Sequence, residues 1–160
     1  MQRSLKDIVG AGVLSVGIVA FIVVLPIILL IFMAYSGALY ATIWLVWCAR
    51  GRNVLLVYSN SPKWQSYVET ELIPRLPANT IVMNWSERRY WRRLSLSVRA
   101  FWHYGGSREF NPMVLIFRPF RLARTFRFYR AFQAHKRGDS ELLIETQNRM
   151  TSYIDGAGLS

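Results

Sequence analysis

From Ile8 to Ala49 the chain carries no Asp, Glu, Lys or Arg. As a helix this run would extend about 63 Å, at about 1.5 Å per residue, against a hydrocarbon core of about 30 Å. A surface helix of a soluble domain needs a polar face for water, and this run has no charge to supply one. It also exceeds the apolar core of a secretory signal, about 7–15 residues. A small-residue stretch at which a signal could be cut, Ala34-Tyr35-Ser36-Gly37-Ala38, does follow it. A membrane anchor is the stronger reading.

Two topologies fit the run. In one, residues 8–34 span once and 38–49 lie along the interface. Tyr35, Tyr40, Trp44 and Trp47 suit the headgroup level, and Arg50 and Arg52 mark the aqueous side. In the other, two arms fold back near Pro26. That turn would be Val24-Leu25-Pro26-Ile27-Ile28, which offers water no polar side chain, so the single span is preferred. Residues 50–160 hold 18 basic and 8 acidic side chains, a net of +10. The basic bias places this part in the cytoplasm, which for a bacterial chain means anchorage in the inner membrane. Arg3 and Lys6 put charge at the other end as well. The single cysteine, Cys48, excludes an internal disulfide. It sits where juxtamembrane cysteines can be acylated, although a small apolar residue in an interfacial helix is the stronger reading.

The remainder alternates strand and helix signals. Val54–Tyr58 is a short apolar run that reads as a buried strand. Ser61-Pro62 reads as a helix start, with Ser as N-cap and Pro in the first turn. Trp64, Tyr67, Val68 and Leu72 follow on one face, and Pro74 and Pro77 close the element. Residues 80–85 form a second strand, and Ser86 opens a helix bearing Trp91, Leu94, Val98, Phe101 and Trp102, stopped by Gly105-Gly106. Met113–Phe117 is a third strand, and 124–129 a fourth with Phe126 and Phe128 on one face. Gly138-Asp139-Ser140 opens a last helix with Leu142, Leu143, Thr146, Met150, Tyr153 and Ile154 inward. The fold class is therefore α/β: a transmembrane helix, then β-α-β-α-β-β-α with a mixed four-stranded sheet over 50–155 and a frayed tail.

That order resembles the thioredoxin-like fold. Val54–Trp64 looks like the strand-loop-helix of the glutaredoxin branch, with Ser61-Pro62-Lys63-Trp64 where Cys-Pro-X-Cys opens the helix. Asn111-Pro112-Met113 looks like the family's cis-proline and the start of its third strand. The resemblance implies a cleft formed by Ser59, Ser61, Pro62, Lys63, Trp64, Asn111, Pro112 and Met113. The cysteines are missing, and thiol-disulfide exchange needs an attacking thiolate and usually a resolving partner. The expected function is a non-catalytic module that binds a protein or peptide partner, or an anionic ligand, at the membrane surface. The alternative is a glutathione-transferase-like enzyme using Tyr58 or Ser59 as activating hydroxyl; the all-helical second domain such enzymes carry is not evident. A Rossmann-like nucleotide binder is disfavoured by the absence of a glycine pattern over 59–63.

Arg118, Arg121, Arg124, Arg127 and Arg130 recur every third residue among aromatic side chains. A period of three matches neither a strand face nor a helix face. Without a nucleic-acid motif, anionic lipid headgroups are the better partner for this basic surface, at about 1 kcal/mol per nearby basic residue. No catalytic residue, cofactor or metal is expected. His103 and His135 stand far apart, and Glu87 and Glu109 complete no ligand spacing.

Overall fold

The computed structural model describes residues 5–105 and 111–159, with side chains from Phe21 onward. The chain divides into two units, residues 1–38 and 39–160.

From Leu5 onward the first unit is helical. It belongs to α1, which runs Leu5–Val46 with Pro26 inside it. No hairpin forms near Pro26. Proline there forgoes one backbone hydrogen bond, whereas a turn among Val, Leu and Ile would strand several backbone groups without polar neighbours. Among the described residues one helix is long and apolar enough to cross a membrane, over Phe21–Arg50. Its large side chains between Phe21 and Met33 are exposed.

The second unit begins with the end of α1. The expected interfacial segment 38–49 is no separate element: it continues α1 and ends in a 3-10 turn, Cys48–Arg50. Leu39, Ile43 and Trp47 are buried. Their spacing of four puts them on one helix face, and that face belongs to the core of the second unit. Residues 50–155, read from the sequence as the domain, thus share their core with Leu39, Ile43 and Trp47.

Four strands follow the order β2-β1-β3-β4. β1 is Val54–Tyr58, β2 Ile81–Asn84, β3 Met113–Arg118 and β4 Arg121–Arg127. β1 and β2 are parallel, while β1 with β3 and β3 with β4 are antiparallel. Alternation in the two central strands sorts side chains into two layers. Val54, Leu56, Val114 and Ile116 meet Trp64, Val68, Phe128, Phe132, Met150 and Ile154 on one face. Leu55, Val57, Leu115 and Phe117 meet Ile43, Trp47, Val98 and Phe101 on the other. The central strands are buried on both faces, which is why they read as continuous apolar runs.

The helices depart from expectation in three places. After β1, Ser61–Trp64 is a turn, α2 covers only Gln65–Tyr67, and a wide π turn, Val68–Leu72, passes into a 3-10 turn, Ile73–Arg75. Pro74 cannot donate to the carbonyl four residues back, so the α pattern gives way before it. The helix expected from Ser86 is a 3-10 segment, Trp85–Tyr90; α3 starts later, Leu96–Tyr104, with the Ser95 hydroxyl accepting from the Val98 amide. The strand expected over 124–129 ends at Arg127, and Tyr129–His135 forms α4. The last helix, α5, spans Glu141–Asp155.

Candidate functional site

β1 and β2 point their carboxyl ends the same way, the edge at which α/β sheets usually hold ligands. A polar strip lies there. Ser59, the first residue past β1, is buried, and its hydroxyl oxygen accepts from the Asn111 side-chain amide at 2.5 Å. The Asn111 carbonyl oxygen is buried without a protein partner among the described residues. The next peptide bond, Asn111-Pro112, is cis. The Asn60 amide donates to the Ser86 hydroxyl at 3.0 Å, and the Asn84 side-chain amide donates to the Asn60 side-chain carbonyl at 2.5 Å. These bonds tie the loop after β1 to the start of β3 on one side and to the end of β2 on the other.

The expected cleft residues divide among different partners. Ser59 and Asn111 are brought together. Pro112 is buried, and its carbonyl accepts from the Phe128 amide at 3.0 Å. Met113 is fully buried in the layer beneath α3. Ser61 acts through its backbone: its carbonyl accepts from the amides of Trp64 and Gln65, at 3.0 and 2.9 Å. No side-chain cap bond precedes Gln65, so the N-cap expected of the Ser61 hydroxyl is corrected; the helix begins too late for it. Pro62 and Lys63 are exposed. Partial loss of hydration, then the like charge of Lys63, pull the Lys136 ammonium, just beyond α4, below the usual lysine range. Trp64 is buried, with its ring centroid 4.2 Å from that of Phe132 and 6.0 Å from that of Tyr129.

Tyr58 closes the strip. Its hydroxyl donates to the Glu69 carboxylate at 3.3 Å. Burial first, then the charge of Glu69 and the hydrogen bond to it, push the phenol above its ordinary value. A hydroxyl that activates a thiol or other nucleophile needs the opposite shift.

The arginine series does not form one surface. Arg118 and Arg124 both lie over the Tyr153 ring, at 5.5 and 4.9 Å. Arg121 sits opposite Arg118 across the β3–β4 turn. Arg127 donates to the Gly105 carbonyl, at 3.5 Å, and Arg130 is on α4. Strand, turn and helix split the period of three. His103 lies on α3 and the His135 ring bonds the Ser140 hydroxyl at 2.8 Å. Glu109 is outside the described residues. Among the described residues no group of three His, Cys, Asp or Glu side chains could hold a metal.

Sequence reasoning missed Asn60, Asn84 and Ser86. A signal was present: each polar residue ends an apolar strand or stands two residues past one, where backbone turns need side-chain partners. No family model matches the chain, and no curated protein or solved structure is detectably similar to it.

Proposed function

We propose that the chain is a membrane-anchored, thioredoxin-like binding module that performs no thiol chemistry. Its anchor is α1, whose apolar side chains between Phe21 and Met33 are exposed; a contiguous apolar surface of that kind belongs in lipid or against another apolar surface. The excess of Arg after residue 49 favours a cytoplasmic domain. The thioredoxin-like assignment draws on the strand order, with one parallel and two antiparallel pairs, and on the proline before β3.

One observation carries the binding role: the Ser59–Asn111 bond at the carboxyl end of β1, with the Asn111 side-chain carbonyl oxygen beside it lacking a partner among the described residues. A buried acceptor with no partner costs about 1–3 kcal/mol, and a ligand amide would recover that cost. The ligand is an extended peptide, whose backbone amides match the free acceptor, or an anionic segment drawn to Lys63 and Lys136. The raised Tyr58 phenol and the single cysteine argue against transferase and oxidoreductase chemistry.

The test uses the full chain in lipid nanodiscs, passed over an array of extended acidic, basic and neutral decapeptides. Peptides should be retained by the wild type and lost by Asn111→Ala with Ser59→Ala; equal retention by the double variant removes the site. The same preparation should leave a dithiol-linked substrate such as insulin unreduced.

A further inference from the structure

The β3–β4 turn exposes apolar side chains where a soluble hairpin would show polar ones. Phe120 is 87% exposed and Leu122 is 86% exposed. Arg118 pairs with Arg121, leaving Pro119-Phe120 as the tip. Phe120 has a φ of 58°, in the left-handed region that a turn usually fills with Gly or Asn. A bulky side chain kept there at a conformational cost, with its ring mostly in water, points to a role for the ring outside the fold.

The tip is also continuous with the end of α1. The Phe120 and Trp44 rings lie 5.0 Å apart between centroids. A groove of about 390 Å³ joins them, lined also by Leu45, Cys48 and Pro119. Leu45 is itself 76% exposed. Trp44, Leu45 and Cys48 are the last part of the apolar run that ends at Ala49. Charge frames the patch: Arg118 and Arg121 face each other as like-charged cross-strand partners, an arrangement that is unfavourable unless an anion lies between. Among the described residues Glu71 pairs with Arg75 and Glu145 with Arg149, and no carboxylate is seen to pair with Arg118, Arg121 or Arg124.

We infer that the β3–β4 tip is a membrane-interface wedge: Phe120, Leu122 and Leu45 enter the boundary between headgroups and acyl chains, and Arg118, Arg121 and Arg124 hold lipid phosphates. The occupant is a phospholipid surface because apolar side chains at a turn, ringed by cations, match a layer that is apolar below and anionic above. The inference rests on the anchoring proposed above and adds a second, superficial contact that holds the domain against the leaflet.

The test uses the full chain in vesicles of phosphatidylcholine with about 30% phosphatidylglycerol. In a Cys48→Ser background, single cysteines at Phe120→Cys, Leu122→Cys, Ile31→Cys and Glu141→Cys carry a spin label. Collision with oxygen and with a water-soluble nickel chelate reports immersion. Labels at 120 and 122 should read as immersed just below the phosphates, and the label at 141 as aqueous. Adding Arg121→Gln should reduce the immersed fraction at 120 by on the order of fivefold. Labels at 120 and 122 that collide with the chelate as freely as the one at 141 overturn the wedge. Shielding from both reagents overturns it too, since protein then covers the tip. The label at 31 judges the anchor separately, because only the readings at 120 and 122 bear on the wedge.

Discussion

Ile43→Ala should destabilise the second unit although residue 43 belongs to the apolar run. Ile43 is fully buried in the layer with Leu55, Phe101, Leu115 and Phe117. Alanine deletes roughly three buried carbons, about 2.4 kcal/mol of transfer free energy at about 0.8 kcal/mol each. The cavity left behind brings the cost to about 2–5 kcal/mol. Ile31→Ala, in the same helix, provides the comparison: Ile31 is 65% exposed and lies in the first unit. The assay is urea unfolding of the full chain in mild detergent, followed by tryptophan fluorescence. With a slope of about 1–3 kcal/mol per M, a loss of about 3 kcal/mol moves the midpoint down by about 1–3 M. Ile31→Ala should leave it in place. Equal midpoints for the two variants would refute the claim that α1 ends inside the domain core.

The same arithmetic bears on truncation. Leu39, Ile43 and Trp47 together supply on the order of 7–15 kcal/mol by the usual large-to-small costs. That matches the whole stability of a typical domain, about 5–15 kcal/mol. A chain beginning at Arg50 should therefore fail to fold, whereas one beginning near Leu39 keeps all three side chains.

Tyr67→Phe should gain about 1 kcal/mol, because the Tyr67 hydroxyl oxygen is buried without a partner among the described residues while its ring packs on Phe132 at 5.6 Å. Burial pushes the Tyr67 phenol up to about 12, with Arg75 opposing and Glu71 adding to the shift. A raised folded value means stability that is whole below about pH 10 and falls as pH rises through about 12, so phenylalanine should flatten that alkaline loss in urea titrations at pH 7 and pH 11.

Strands were legible wherever burial on both faces removed the need for alternation. Val54–Tyr58 stands as read, and the two strands that follow it shift by a residue at their ends. Helices were legible only where a cap agreed with an amphipathic face. Ser86 looked like such a start, but the side-chain cap that forms belongs to Ser95, and Trp91 precedes the helix it was assigned to. In α5 the inward face is Leu143, Gln147, Met150 and Ile154, so Leu142 turns outward and a glutamine takes the place expected of Thr146. Composition misleads there because a long polar side chain can lie along apolar surface. Missing α4 has another cause. Phe126 and Phe128 are both buried, which mimics a strand, yet Phe128, Ala131 and Phe132 also fit a helix repeat.

The site shows the sharper limit. Ser59 and Asn111 are 52 residues apart in sequence and meet because β1 and β3 are neighbours in antiparallel register, Val57 opposite Met113. Register decides which side chains stand opposite each other beyond the last paired residues. Local pattern can name each strand, but not its register. The wedge is the reverse case: Phe120 and Leu122 sit among Arg in a turn, so their exposure follows from local sequence alone. What needed the structure was Trp44, which lies against Phe120 and joins the tip to the end of the helix read as the anchor.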